Sequence, residues 1–160
     1  MAEIYFIAAI DEHNGLANNG KLPWDLPDDR AFFREKVKDG PVVMGQKTFE
    51  SNNNHSFGQG KNYILSRTKQ NYPGVQYVQT IQEVLTQEAG VIWVIGGGQI
   101  FSLLIKQASK LYVTRVEGDF ACDVFFPEFE TAFHCVEQSP WHEQNGIHFR
   151  YEVYERATSE

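Results

Sequence analysis

The feature that most constrains the fold is a series of short apolar runs that do not alternate with polar residues. The runs have the length of strands and cover residues 4–10, 42–44, 63–65, 75–78, 91–95 and 111–116. A strand that is apolar on both faces must be covered on both faces, which is typical of parallel sheets. Helical patterns separate several of the runs, at residues 28–38, 81–88 and 99–108. This alternation predicts an α/β fold with helices on both faces of the sheet.

The C-terminal part of the chain follows a different pattern. Residues 133–138 and 148–155 flank a segment that contains Asn145 and Gly146, and the second of these runs alternates between apolar and polar residues. An Asn-Gly pair between two strands favours the tight turn of a hairpin. We therefore expect an antiparallel hairpin that closes a mixed, mostly parallel sheet. No repeat, charge block or low-complexity linker divides residues 1–160, so we expect a single domain.

The charge and the cysteines exclude several classes of function. The chain has 14 basic and 21 acidic residues, a formal net charge of −7, which opposes binding to nucleic acid or to anionic lipid. Cys122, Cys135 and the five histidines match no metal-ligand spacing, so we expect free thiols and no metal site. The apolar run at residues 4–10 is far too short to span a bilayer. We expect a cytoplasmic protein, and nothing in the sequence demands more than a monomer.

Three predicted strands end in a small or polar residue that is followed by a helix or a turn. These strand ends lie at residues 44–48, 65–68 and 95–99. Each can direct backbone N–H groups, a hydroxyl or a cation to a phosphate, at the edge of the sheet where α/β proteins bind ligands. Each is also compatible with an ordinary turn, but the three together indicate an extended ligand with several phosphates. Lys47 and Arg67 add cations suited to a phosphate monoester.

Asp29 occupies an unusual place in a predicted helix. Pro27 can open the helix in its first turn, after which Asp29, Phe33 and Val37 follow at i, i+4 and i+8. This spacing places a carboxylate on an apolar face, where it is unfavourable unless a partner hydrogen-bonds it. A ligand with a flat pair of N–H donors would satisfy it. The alternative is that Asp29 complements the positive end of the helix, as we expect for Asp28.

A turn-rich segment, residues 15–24, precedes this helix and ends in Pro23 and Trp24. Glycine, asparagine and proline favour turns in such a segment. Two interpretations remain open. The segment is either a lid over a ligand or a plain surface loop with Trp24 packed in the core.

Motifs in this order along the chain resemble those of the dihydrofolate reductase family. The matching segments cover nearly the whole chain, at residues 7–9, 15–16, 22–24, 26–29, Phe33, 42–45, 48–51, 64–67, 94–98, 111–114, Asp123 and 126–127. The resemblance implies an eight-stranded mixed sheet and NADPH as the cofactor. It also implies reduction of 7,8-dihydrofolate to 5,6,7,8-tetrahydrofolate, by hydride transfer to pterin C6 with protonation of N5. The chain would then act in one-carbon metabolism and be an antifolate target, with residues 15–24 as a mobile loop that closes over the nicotinamide.

The same resemblance implies roles for individual residues. Asp29 would accept the pterin 2-amino and N3 hydrogens with support from Thr114, and Leu22 and Trp24 would admit the water that protonates N5, while Phe101 lies beside the nicotinamide. The implied substrate-binding residues are Ile7, Ala8, Asp29, Arg30, Phe33, Arg34, Phe57, Ile95 and Thr114. The implied cofactor-binding residues are Ala9, Leu16, Gly45, Gln46, Lys47, Thr48, Leu65, Ser66, Arg67, Ile95, Gly96, Gly97, Gly98, Gln99, Ile100 and Phe101. Among them, Lys47, Ser66 and Arg67 would bind the adenosine 2′-phosphate, and Gly96 to Gly98 would lie beside the pyrophosphate and the nicotinamide.

The chain departs from the family pattern at the substrate tail. Gly60 stands where the family has an arginine that binds the α-carboxylate of the substrate. The loss of one charge-assisted hydrogen bond, worth about 1.5–3 kcal/mol, predicts an altered enzyme and not an inactive one. Arg30 replaces a common leucine, and Arg34 follows at i+4. We hypothesise that Arg30, with Arg34, binds the tail; the alternative is a solvated pair of helix cations.

Other departures affect the expected rate and the expected function. Phe101 replaces a tyrosine, which removes a hydroxyl beside the nicotinamide and predicts a slower hydride step. Ala17, Gln99 and Cys122 replace residues that are commonly Gly, Arg and Gly, and we expect changes in loop mobility and cofactor affinity. A same-fold pyrimidine reductase of riboflavin synthesis and a non-catalytic NADPH- or pterin-binding protein are the alternative functions. Asp29 and residues 22–24 favour a pterin substrate.

Overall fold

The computed structural model of the chain describes residues 2–68 and 70–157. Its strands are β1 Glu3–Ile10, β2 Gly15–Ala17, β3 Val42–Gly45, β4 Asn62–Leu65, β5 Gln76–Val78, β6 Val91–Val94, β7 Ala108–Val116, β8 Val124–Phe125, β9 Phe133–Gln138, β10 His142–Gln144 and β11 Ile147–Arg156. Its helices are α1 Pro27–Val37, α2 Gln46–Ser51, α3 Ile81–Leu85 and α4 Gly98–Leu104, which continues into a 3-10 turn at Ile105–Gln107. In this part of the chain no helix combines the length and the apolar character needed to span a bilayer.

One large mixed sheet organises the fold. Its order is β5-β4-β3-β6-β1-β7-β11, in which neighbours are parallel up to β7 and β11 is antiparallel to β7. β10 pairs with the start of β11 and β9 with its end, both antiparallel and both along the outer edge of β11. The two short strands therefore share one place in the sheet. The predicted α/β fold with an eight-stranded, mostly parallel sheet is confirmed.

The predicted C-terminal hairpin is present between β10 and β11. Asn145 and Gly146 have φ angles of 55° and 76°, the left-handed values of a tight hairpin turn, and Gln144 pairs with Ile147 across it. The sequence did not predict that residues 139–141 would interrupt the outer strand and separate β9 from β10. It also did not predict the small second sheet, in which β2 pairs antiparallel with β8.

Each face of the large sheet is covered by its own helices. α1 and α2 pack on one face around Ile7, Met44 and Ile64. α3 and α4 pack on the other face around Phe6 and Val94. Every residue of β3 and β4 is buried, as expected for apolar runs that do not alternate.

Three predicted boundaries differ from the observed ones by three residues or more. The helix predicted at residues 99–108 ends at Leu104, the one predicted at 81–88 ends at Leu85, and β7 begins at Ala108 and not at residue 111. Ser109 and Lys110 belong to the strand because β7 pairs with β1 from Ala108 onward, with Lys110 opposite Tyr5. A polar residue on an edge or outer face of a strand carries no apolar signal, so local patterning places the start of the strand too late.

The hairpin turn makes a stability prediction. Gly146→Ala should lower the free energy of unfolding by about 1 kcal/mol, because the left-handed conformation penalises a Cβ even where space is free. Gly90→Ala is the matched control, since its Cβ would also meet nothing within 4 Å but no positive φ is recorded there. Urea unfolding of both variants measures the difference. An equal loss in the two variants would show that backbone conformation at the turn is not the cause.

Candidate active site

A cleft of about 890 Å³ opens at the C-terminal edge of the sheet. This volume is in the range of small-molecule binding sites. The strands β1, β3 and β7 and the residues after β6 form its floor, α1 forms one side and residues of the 15–24 segment form the other. The C-terminal ends of the parallel strands meet at this edge of the sheet, and the ligand site was predicted there from the sequence.

Most of the residues implied by the resemblance line this one cleft. They are Ile7, Ala8, Ala9, Leu16, Leu22, Asp29, Arg30, Phe33, Arg34, Gly45, Lys47, Thr48, Phe57, Ile95, Gly97, Gly98, Gln99, Ile100, Phe101 and Thr114. The others do not line it and are Trp24, Gln46, Leu65, Ser66, Arg67 and Gly96. The structure therefore brings together residues from seven different segments of the chain, while part of the proposed cofactor set does not line the cleft.

Asp29 lies in the first turn of α1 and faces the sheet. The hydroxyl of Thr114 donates a hydrogen bond of 2.6 Å to Asp29 Oδ1. Thr114 is buried on β7, next to Ala9 of β1. Complementing the helix end does not require such a contact, so the geometry supports a carboxylate directed at the floor of the cleft.

The pKa of Asp29 indicates a buried carboxylate without a cation that fully offsets its burial. Burial raises the pKa of Asp29, and the hydrogen bond from Thr114 and the charge of Arg30 lower it without reversing the shift. Tyr151 lies nearby, and burial together with Asp29 and Asp28 raises the pKa of its hydroxyl to about 12. A ligand that donates two hydrogen bonds to Asp29 would supply the missing stabilisation.

Glycines let two strand ends approach each other closely. Gly45 N donates a 2.8 Å hydrogen bond to Gly96 O. A Cβ at Gly45 would lie 3.0 Å from Ile100 Cγ1, and a Cβ at Gly98 would lie 2.8 Å from Val124 Cγ1. A side chain at either position would push the segments apart. Gly97 is different, because a Cβ there would meet only Thr48 Oγ1 at 3.5 Å, and its backbone borders the cleft.

The third strand end lies beside the other two at the rim. Leu65 is paired with Gly45, so Ser66 and Arg67 continue along the same edge of the sheet. Gln46 is held by its neighbours, since its side-chain oxygen accepts a 2.6 Å bond from the Tyr77 hydroxyl and its amide donates to Glu50 at 3.0 Å. Among residues 2–68 and 70–157, Lys47 and Arg67 are two cations at this end of the cleft that could meet a phosphate.

The 15–24 segment combines features of a lid and of an anchored loop. Leu22 is 51% exposed and borders the cleft. Trp24 is only 4% exposed and packs edge-on against Phe120, with ring centroids 5.2 Å apart. Its Nε1 is buried and has no hydrogen-bond partner among the residues that the structure describes. The packing of Trp24 agrees with the loop interpretation, and the lid interpretation remains a prediction.

The loop that carries Gly60 packs directly on the end of α1. A Cβ at Gly60 would lie 2.4 Å from Asp39 O and 2.9 Å from Gly40 Cα. Gln59 N donates a 2.7 Å hydrogen bond to Lys38 O. The backbone as folded leaves no room for an arginine at position 60. Gly60 therefore lies in a loop whose close contact with residues 39–40 excludes a side chain at this position.

Arg30 and Arg34 both border the cleft, in different states. The guanidinium of Arg30 pairs with the carboxylate of Asp25. Arg34 lies one turn further along α1, near the mouth that Phe57 also borders, and Phe57 packs edge-on against Phe33 at 5.8 Å. Arg30 is therefore ion-paired with Asp25, whereas Arg34 is exposed at the mouth of the cleft.

Several cleft residues were not among those predicted from the sequence. They are Ala17, Gly20, Phe32, Val37, Ser51, Asn52, Ser56, Gly58 and Val124. Phe32 and Val37 share the inward face of α1 with Asp29, and that spacing could have identified them. Val124 lies in β8, far from the cleft in sequence, and no local signal marks it.

Comparison with known proteins points to one family. A family model described as dihydrofolate reductase matches residues 3–156. The chain is 32% identical over 161 residues to the dihydrofolate reductase of Bacillus subtilis (98% of this chain, 96% of the relative). It is 33% identical over 124 residues to that of Haemophilus influenzae (76% and 77%). A solved structure of dihydrofolate reductase from Enterococcus faecalis, complexed with NADP(H) and RAB-propyl, is similar with a TM-score of 0.88 and 29% identity, covering 98% of this chain and 97% of that one.

Asp29 makes a prediction about stability without ligand. A carboxyl group whose pKa is raised on folding costs stability once the unfolded chain ionises, so the penalty is absent at low pH and grows as the pH rises. Asp29→Asn should therefore raise the free energy of unfolding at pH 7, and raise it less at pH 4. Urea unfolding at the two pH values measures this change.

Asp28→Asn is the matched control for this prediction. Asp28 is the exposed neighbour in the same first turn, where a negative charge favours the helix by about 0.3–1 kcal/mol. Its replacement should lower stability slightly at pH 7. Destabilisation by Asp29→Asn at neutral pH would contradict the assignment of Asp29 as an unsatisfied carboxylate.

Proposed function

The chain belongs to the dihydrofolate reductase family and catalyses the NADPH-dependent reduction of 7,8-dihydrofolate, and we propose which of its residues carry out each part of that reaction. The observation that carries the assignment is the Asp29 carboxylate, bonded to Thr114 and facing a cleft formed by strand ends. The reaction needs a group that holds a flat heterocycle in one orientation, and Asp29 is placed to be that group.

Asp29 orients the pterin. One of its oxygens accepts the Thr114 hydroxyl, so the second oxygen and the remaining lone pairs are free to accept the 2-amino and N3 hydrogens. Ile7, Ala8 and Phe33 border the same part of the cleft and pack on the faces of the ring. The two hydrogen bonds and the apolar walls together fix the position of C6, and such orientation contributes much of the rate of a bimolecular transfer.

The other half of the cleft fits the cofactor. Gly97 leaves its backbone accessible, and Lys47 and Thr48 add a cation and a hydroxyl beside it. When bound, NADPH supplies the hydride. Lys47 together with Ser66 and Arg67 on the rim would hold its 2′-phosphate.

Leu22 and Trp24 control access of water to N5. Leu22 borders the cleft on the solvent side. Trp24 Nε1 is a buried donor, which suits it to bind a water molecule. We assign to these two residues the entry and orientation of the water that delivers the proton.

Phe101 determines part of the environment of the nicotinamide. It borders the cleft and packs on Phe6 and Phe126, with ring centroids 5.0 and 4.9 Å away. Its environment is therefore apolar. The lack of a hydroxyl at this position removes one group that could stabilise positive charge developing on the ring, so the slower hydride step remains our prediction.

Two further properties are proposed from the same residues. Cys122 and Cys135 are both free, and Cys135 is exposed, which is typical of a reducing compartment. We propose a cytoplasmic, monomeric enzyme of tetrahydrofolate synthesis. The inward Asp29 carboxylate argues against a pyrimidine reductase of riboflavin synthesis, and the oxidation assay separates the reductase from a non-catalytic pterin-binding protein.

The test of the function is the assay of NADPH oxidation with dihydrofolate. The wild-type protein should oxidise NADPH only when dihydrofolate is present. Asp29→Asn should lower kcat/KM by about 10²- to 10⁴-fold, with NADPH affinity unchanged, since Asp29 contacts only the pterin. Asp28→Asn should retain normal turnover. Equal turnover of wild type and Asp29→Asn would refute the assigned role of Asp29.

The substrate tail is held by Arg34 with help from Arg30. The loop at Gly60 is closed against α1, so the cation for the α-carboxylate must come from the helix itself. Arg34 borders the mouth of the cleft, while part of the charge of Arg30 is compensated by Asp25. We propose Arg34 as the main partner of the tail and Arg30 as a weaker second one.

Tail binding is tested with two substrates. Arg34→Ala should raise KM for dihydrofolate by roughly tenfold or more, the equivalent of one charge-assisted hydrogen bond, and leave KM for tail-less dihydropteroate unchanged. Arg30→Ala should have the same effect but a smaller one. Lys38→Ala is the control, because Lys38 lies one turn further on and pairs with Glu35. Equal KM values for the two substrates in the wild type would end the hypothesis.

A further inference from the structure

Asp11 is a buried carboxylate that the reaction described above does not use. It directly follows β1 and is 1% exposed. Its Oδ1 accepts hydrogen bonds from His13 N (2.9 Å) and Gly15 N (2.8 Å). Its Oδ2 accepts from Phe120 N (3.1 Å) and Cys122 Sγ (3.6 Å). Each carboxylate oxygen therefore serves a different segment of the chain.

Both segments belong to the surroundings of the lid. Residues 12–15 lead into β2 and from there into the cleft residues Leu16 and Leu22. Phe120 and Cys122 lie between β7 and β8, which is the partner strand of β2. Asp11 thus joins the start of the lid to the segment against which the lid packs.

The charge state of Asp11 suits this role. Burial alone would raise the pKa of its carboxyl group, but the hydrogen bonds from Phe120, Gly15, His13 and Cys122 outweigh burial and lower it. Burial, followed by the charge and hydrogen bond of Asp11, raises the pKa of the Cys122 thiol to about 11. The thiol therefore keeps its proton and donates a hydrogen bond to the ionised carboxylate.

The packing around Asp11 leaves little freedom. A Cβ at Gly15 would lie 2.5 Å from Cys122 Cβ, so the two segments are in direct contact. Arg115 Nη1 donates to Asn14 Oδ1 at 2.9 Å and to Asp11 O at 3.3 Å. Arg115 follows Thr114 on β7, and Thr114 bonds Asp29. The start of the lid and the partner of Asp29 are thereby fixed to the same strand.

A second contact holds the lid further along. Asp123 N donates to Ala17 O at 2.8 Å, and Asn19 N donates to the Asp123 carboxylate at 3.1 Å. That contact lies near the exposed tip of the segment. The contacts of Asp11 lie at its buried base, and Gly15, which Asp11 holds, directly precedes the cleft residue Leu16.

We propose that Asp11 is a positioning residue of the reductase, which fixes where the lid lies against the cofactor-binding half of the cleft. The proposal rests on the proposed function, since it assigns a part in that reaction. Asp11 contacts neither substrate nor cofactor, and it acts through Leu16 and Leu22. A misplacement of reacting groups by about 1 Å can lower a rate by two orders of magnitude.

Asp11→Asn is the decisive variant because it keeps the size of the side chain and breaks one of the two attachments. An amide oxygen can still accept from His13 and Gly15, but the amide nitrogen then faces the donors of Phe120 and Cys122. Single-turnover hydride transfer at saturating NADPH and dihydrofolate should fall by about tenfold or more. NADPH affinity should fall as well, whereas dihydrofolate affinity should stay within about twofold of the wild type, since Asp29 is untouched.

Glu12→Gln is the matched control. It removes one carboxylate from the same turn, but the side chain of Glu12 is exposed and faces His13 at 3.6 Å on the surface. Hydride transfer and NADPH affinity of this variant should equal those of the wild type. A loss in Glu12→Gln as large as that in Asp11→Asn would attribute the effect to net charge and overturn the proposal.

The thermal midpoint separates positioning from a purely structural role. A structural role predicts a lower Tm with an unchanged hydride rate in the folded protein, and that result would overturn the proposal. If Asp11→Asn does not fold, Cys122→Ala takes its place, because it removes only the thiol donor. Its rate of hydride transfer should fall by at least about twofold. An unchanged rate would overturn the proposal. A wild type that binds NADPH but does not reduce dihydrofolate would instead refute the proposed function.

Discussion

The hydrogen bond between Thr114 and Asp29 is the interaction on which the site depends. It joins the first turn of α1 to β7 and holds a carboxylate at the floor of a cleft. Burial raises the pKa of that carboxylate, so the protein keeps a group there that its own contacts do not satisfy. Such a carboxylate suits a ligand with two adjacent N–H donors, because the ligand supplies the hydrogen bonds that the protein does not make to it.

Parallel strands explain why so many segments meet at this place. Their C-terminal ends lie along one edge, and the glycines at positions 45 and 98 allow neighbouring segments to approach to contact distance. The same edge leads outward to Ser66 and Arg67, beyond the cleft. A ligand that extends from Gly97 to this rim passes backbone, hydroxyl and cation in turn, which matches an elongated molecule with a ring at one end and phosphate at the other.

The residues that we propose for the substrate tail lie at the mouth of the cleft, away from Asp29 and Thr114. Gly60 permits a loop to close on α1 where a side chain would clash, and the nearby cations now lie on α1 at Arg30 and Arg34. The loop contacts the C-terminal end of α1, whereas Asp29 lies in its first turn and is hydrogen-bonded to Thr114 of β7. Recognition of the tail can therefore vary independently of the orientation of the ring.

The sequence by itself determined the layers of the fold and the place of its main acid. Apolar runs without alternation, separated by helical patterns, indicate strands covered on both faces, and the period of α1 directs Asp29 to the same side as Phe33 and Val37. Only the tertiary structure decided the partners. Thr114 is 85 residues from Asp29 in sequence and Phe120 is 109 from Asp11. Periodicity is a local property that fixes which face a side chain occupies, whereas the residue it meets depends on strand order and register, which form only when distant segments pack.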